Sequence, residues 1–132
     1  MSGELVERER VALIAIAGVT VATGAGQVLA PQASLEPLLA EDDATTRHFF
    51  GTIGMFMVVV GGSLLEALLQ RPRDRAGLLW TAGQKIGAAG AVGLGVRRGI
   101  FSRLALLVAG FDLLSGLLVL DYWRRLPRRA GR

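Results

Sequence analysis

Apolar residues in this 132-residue chain gather into four blocks divided by charged punctuation. The blocks cover residues 11–30, 49–70, 77–96 and 101–123. Each matches the ~20 residues that a helix needs to cross a bilayer's hydrocarbon layer. None carries the polar stripe that a water-facing helix requires, which excludes a soluble four-helix bundle. The pattern predicts an all-α integral membrane protein: four transmembrane helices in an up-down bundle, in one domain, followed by a basic tail at 124–132.

The punctuation refines the elements. Residues 1–10 read as a polar cap of mixed charge. Pro31 ends the first block. Val28, Leu29 and Ala30 have some character of a signal-peptide cleavage site, but Glu4, Glu7 and Glu9 and the length of the apolar run favour a retained helix. An acidic loop follows with Glu36, Glu41, Asp42 and Asp43, and Leu35, Leu38 and Leu39 suggest a short turn lying on the membrane surface. Asp43, Thr45 or Thr46 can cap the second long helix by accepting its free backbone N–H groups. Arg71, Pro72, Arg73, Asp74 and Arg75 read as a tight basic turn, and Arg97, Arg98 and Gly99 break the third block from the fourth.

Composition agrees: 52% of residues are hydrophobic, and there is too little polar chain for a soluble domain beside the helices. The net charge of +4 does not point to nucleic acid. Basic residues lie at block ends, where they act as topology signals. Arg8, Arg10, Arg71, Arg73, Arg75 and the tail arginines fall on one side if both termini are cytoplasmic. Arg97, Arg98 and Arg103 depart from that bias on the other side. Tyr122 and Trp123, with Trp80 at the same level, read as aromatic anchors of the inner interface. The expected location is the inner or plasma membrane, multi-pass. Cysteine is absent, which excludes thiol catalysis and Cys-ligated metal. The single histidine, His48, cannot supply bis-His haem ligation within one chain. No cofactor or metal is expected, and no internal repeat suggests an inverted-repeat transporter.

Two charges stand in the wrong solvent. Lys85 and Asp112 lie near the middle of the third and fourth blocks, where an ionisable group costs roughly 2.5–3.5 kcal/mol on insertion scales. At 1.5 Å per residue both fall about 12–16 Å from the inner face. An antiparallel hairpin would therefore let them meet. They form either a structural pair that fixes helix rotation or an ion, proton or substrate site. Glu66, near the inner end of the second block, either snorkels towards Arg71–Arg75 or turns inward to give a Glu66–Lys85–Asp112 triad with a surplus negative charge. Gln84 and Ser115 could add hydrogen bonds in that layer.

Small residues recur at helical spacing. Gly83 and Gly87 form a GxxxG pattern that continues to Gly90 and Gly93, and Gly18, Ala22 and Gly26 repeat in the first block. They predict close helix packing, inside the bundle or between copies. They are no phosphate loop, because no strand precedes them and no Gly-Lys-Ser/Thr follows. Thr23 and Gln27 read as interhelical hydrogen-bonders, Met55, Phe56 and Met57 as packing residues, and Arg47 and His48 as a solvated or capping pair. The arginine tail orients the chain and attracts anionic lipid headgroups.

Three stretches carry a resemblance: Ala30-Pro31, residues 50–55 through Gly61-Gly62, and residues 111–116 around Asp112. The layout resembles the small four-helix bacterial membrane proteins grouped as DoxX-like. That resemblance implies the helical fold and accessory subunits of membrane redox systems, with no quinone or haem site to carry over. The expected function is a non-catalytic accessory, scaffold or lipid-interacting subunit, in a homo-oligomer or a larger membrane complex. The alternative is a small oligomeric transporter using Glu66, Lys85 and Asp112. An enzyme acting on lipid or quinone would rest on Glu66 and Arg73, with no nucleophile or metal set beside them.

Overall fold

The computed structural model describes residues 2–38 and 42–127. The chain is helical throughout its regular elements: α1 (Ser2–Leu29), α2 (Pro31–Leu35), a 3₁₀ turn (Glu36–Leu38), α3 (Ala44–Leu69), α4 (Arg75–Arg97) and α5 (Ala105–Arg125). Three of the helices, over Gly3–Leu29, Ala44–Leu69 and Ala105–Arg125, are long and apolar enough to cross a membrane. The third block of the sequence, α4, is not among them. Its glycines, Gln84, Lys85 and the arginines at its two ends dilute its apolar character.

Helix boundaries move outward or inward for local reasons. α1 runs straight through the polar cap, where Glu4–Arg8 and Glu7–Arg10 pairs at i,i+4 and i,i+3 spacing support helix in a charged sequence. Its 28 residues make it about 42 Å long, more than the hydrocarbon layer needs. α3 begins at Ala44 because Asp43 accepts from the Thr46 backbone N–H at 2.7 Å. That N–H, above all, holds the Asp43 carboxyl below its ordinary pKa. α4 begins at Arg75 because the Asp74 carboxylate accepts from the Ala76 and Gly77 N–H groups, each at 3.1 Å. α5 starts late, since residues 98–104 make a turn in which the Phe101 ring lies against Gly95. The Ser102 N–H donates to the Leu38 carbonyl at 3.1 Å, joining that turn to the 3₁₀ segment. Leu35 is buried, which anchors the short segment to the rest of the protein. Leu39 and Glu41 lie outside the described residues, as does the tail from 128 onward.

α1 packs mainly on α3 and α4 mainly on α5, with smaller α1–α5 and α3–α4 contacts closing the set. Glycine makes the two main contacts close. Gly24 and Gly54 face each other across α1 and α3, and Gly61 meets Ala17 and Val21. Gly116 of α5 sits against Ala82 and Ile86 of α4. The five glycines expected to pack make no close contact within the chain: Gly18, Gly26, Gly83, Gly87 and Gly90 all face open space, which leaves contact between copies as the open alternative. Helical spacing marks a small-residue face but carries no sign of which way that face turns.

The core holds Leu13, Ala17, Leu64, Leu68, Leu78, Val119 and Tyr122. Tyr122 is thus a core residue, not an interfacial anchor, while Trp80 is 80% exposed. Leu107 and Leu114 are each 70% exposed while Lys85 is 1% exposed. That inversion suits an apolar solvent and would be costly in water.

Candidate intramembrane charge site

Three buried helical stripes meet at one layer. On α4 the stripe is Leu78, Ala82, Lys85 and Ala89; on α1 it is Leu13, Ala17, Thr20 and Gly24. On α5 it runs Ala105, Ala109, Asp112, Ser115 or Gly116, and Val119. Steps of three and four keep each set on one face. Lys85, Asp112 and Thr20 therefore hold positions that an aliphatic residue would otherwise fill.

Their geometry satisfies the ammonium. Lys85 Nζ donates to Asp112 Oδ1 at 3.0 Å and to Thr20 Oγ1 at 3.1 Å. It also stands 5.4 Å from the centre of the Phe111 ring, within cation–π range. An ammonium has three donors, and two of these partners are hydrogen-bond acceptors while the third is an aromatic face. The Thr20 hydroxyl donates in turn to the Ile16 carbonyl at 2.9 Å, so accepting from Lys85 leaves no proton stranded. The Lys85 side chain keeps 2% of its surface and that of Asp112 keeps 13%. The pair spans α4 and α5, and Thr20 binds it to α1.

The structure joins Lys85 and Asp112 as their depth predicts, and it leaves Glu66 apart. Glu66 is exposed near the end of α3, where its carboxylate accepts from Gln70 Nε2 at 2.7 Å. No surplus negative charge therefore reaches the pair from it. Gln84 is exposed, one residue round the helix from the stripe. Ser115 is buried on the α5 stripe but makes no bond to the pair. Thr20, which completes the site, is not among the residues singled out from sequence. Thr23 is exposed, and Gln27 is held against Gly54 with its Oε1 lacking a hydrogen-bond partner. The signal for Thr20 was its place in the 13, 17, 20, 24 stripe.

Among the described residues, the two most prominent surface cavities lie at opposite ends of the molecule, and neither is lined by Lys85 or Asp112. Among the described residues no three His, Cys, Asp or Glu side chains gather as metal ligands. Arg47 pairs with Asp42 at 3.2 Å, and His48 is exposed beside Phe49.

Fold and site define an all-helical protein with three apolar helices of membrane-spanning length and a buried charge pair joining α4 to α5 and α1. No protein-family model, curated protein or solved structure matches the chain.

Proposed function

We propose that this is a multi-pass protein of the cell membrane that acts without catalysis, as an accessory, scaffold or lipid-interacting subunit, and that Lys85–Asp112 is its structural lock. In this reading α4 is the fourth span, both termini are cytoplasmic, and α4 enters the bilayer because its one ammonium is neutralised against α5 and α1. The observation that carries the reading is the completeness of Lys85's partners: a carboxylate, a hydroxyl and an aromatic face, with no described cavity opening on them. A transport site needs a group left to meet its cargo and a path to it. The DoxX-like resemblance fits an accessory role. The outward face of Gly83, Gly87 and Gly90 supports a homo-oligomer or a larger membrane complex, since notched helix faces let backbones approach closely.

The test compares wild type with the Lys85→Met/Asp112→Leu double variant in proteoliposomes. The double variant should stay folded, because a buried pair can often be exchanged for apolar residues at little cost. Neither protein should carry protons, alkali cations or small organic cations. Flux in wild type that disappears in a folded double variant would replace the lock with a transport site.

A further inference from the structure

A second site lies at the end of the molecule where α1 begins, the α3–α4 turn sits and α5 ends. A cleft of about 1040 Å³ opens there, with Arg71, Arg73 and Arg75 on its wall and Val6, Tyr122 and Leu126 beside them. We infer that this cleft binds the phosphate of one anionic phospholipid, with the arginines on the phosphate and the apolar wall against the glycerol and upper acyl chain. The inference rests on the membrane reading above, which places this end at a headgroup layer.

Charge carries the assignment. The cleft is also lined by two carboxylates, Glu7 and Asp74, and both are already engaged. Arg10 Nε donates to Glu7 Oε1 and Oε2 at 3.0 and 3.1 Å. Asp74 is taken by the first backbone N–H groups of α4. Among the described residues no carboxylate lies within salt-bridge range of Arg71, Arg73 or Arg75. Arg75 is fixed by neutral partners: Nη1 donates to the Trp123 and Leu126 carbonyls at 3.0 and 2.9 Å, and its guanidinium stands 4.6 Å from the Trp123 ring centre. Arg73 Nη1 donates to the Gln70 carbonyl at 2.6 Å. Carbonyls and a ring position Arg73 and Arg75, and three arginines against Glu7 and Asp74 leave the cleft lining with one net positive charge even though Glu7 also feels Arg71 and Arg73.

Shape and polarity set the ligand class. Basic clefts between helix ends suit phospholipid headgroups, and planar guanidiniums match phosphate oxygens in a bidentate fashion. The volume lies near the upper end of small-ligand sites, more than a bare phosphate would fill. The apolar wall gives a free phosphate nothing to bind. The site is also distinct from the general attraction of the tail arginines, because a cleft saturates at one lipid per chain.

The experiment is native mass spectrometry of the full chain in detergent, titrated with phosphatidylglycerol or phosphatidylcholine. Wild type should take up one phosphatidylglycerol per chain in preference to phosphatidylcholine. Arg71→Gln/Arg73→Gln should weaken that uptake about tenfold or more, while Arg71→Lys/Arg73→Lys keeps a measurable preference. Arg128→Gln/Arg129→Gln should leave the saturable component in place. In parallel, phosphatidylglycerol should raise the wild-type melting temperature, and the glutamine pair should remove that rise while remaining helical. Equal uptake of the two lipids, or uptake unchanged in the glutamine pair, overturns the inference. So does displacement of the lipid by inorganic phosphate at comparable concentration, which would assign the cleft to the free anion. Carbonate extraction of the chain from membranes would overturn the membrane reading itself, whereas failure of lipid selectivity alone leaves that reading standing.

Discussion

Gly54→Ala should separate the two most closely packed helices, and the cost can be worked from the structure. A methyl carbon at position 54 would stand 2.6 Å from the Gly24 carbonyl oxygen, 2.6 Å from Gln27 Cβ and 3.1 Å from the Val28 nitrogen. Favourable contacts between carbon atoms lie at about 3.5–4.0 Å, so α1 and α3 must part by roughly 1 Å. Two of the three obstacles are backbone atoms, which no rotamer change can remove. Parting the helices loosens dispersion contacts along their whole length, and in lipid no hydrophobic effect offsets that loss. Overpacking usually costs about 1–3 kcal/mol, and a backbone obstacle puts this site at the upper end. Gly24→Ala faces the Gly54 carbonyl oxygen at 2.5 Å and should cost a similar amount. The two together should cost less than their sum, because the first methyl has already opened the gap for the second. Gly87→Ala is the control: nothing lies within 4 Å of its added methyl, and the change should stay within about 0.5 kcal/mol. Thermal unfolding in detergent, followed by far-UV circular dichroism on monomeric protein, measures all four variants. Destabilisation by Gly87→Ala equal to that by Gly54→Ala would mean that the packed and open faces have been exchanged.

Thr20→Val keeps shape but removes an acceptor from a buried ammonium; a loss of about 1.5–3 kcal/mol in the same unfolding assay is expected, and Thr20→Ser should restore most of it. In the charge pair, Asp112→Leu alone should cost roughly 3–5 kcal/mol, and adding Lys85→Met should recover most of that loss. Asp43→Ala should lower the melting temperature by less than Gly54→Ala does, and Asp43→Asn should retain most of the cap. Because the folded Asp43 pKa lies below its ordinary 3.8, the cap's contribution is fully present above that value and fades as pH falls through the lower, folded value. A pH series on wild type and Asp43→Ala should therefore converge only in strong acid. The chain has no cysteine, so single cysteines introduced at positions 4, 73 and 99 report sidedness without background. Labelling of intact spheroplasts with an impermeant maleimide should reach position 99 and spare 4 and 73; the reverse pattern would invert the proposed topology.

How much was legible in the sequence depended on what each signal encodes. Long apolar runs report burial or lipid whatever the tertiary arrangement, so the helices of α1, α3, α4 and α5 were readable. Their ends were less so, because caps such as Asp74 and ion pairs such as Glu7–Arg10 act over one turn and are hidden in stretches that look like punctuation. Depth is a single coordinate that residue counting supplies, and it sufficed to bring Lys85 to Asp112 across a short turn. Azimuth is a second coordinate, and counting does not supply it when a helix lacks a polar face. Glu66, Gln84 and the α4 glycines all depended on azimuth. The glycines at 83, 87 and 90 and the packed stripe at 78, 82, 85 and 89 share a helix and a spacing, and differ only in the direction they face. Lys85 itself fixes that choice. Turning α4 so that Gly87 faced α5 would carry the ammonium to the outer surface of the protein, whereas the observed rotation gives it Asp112 and Thr20 at once. The charge that dilutes the apolar character of α4 is thus also what sets how α4 is turned, with Thr20 on the 13, 17, 20, 24 stripe of α1 as its second partner.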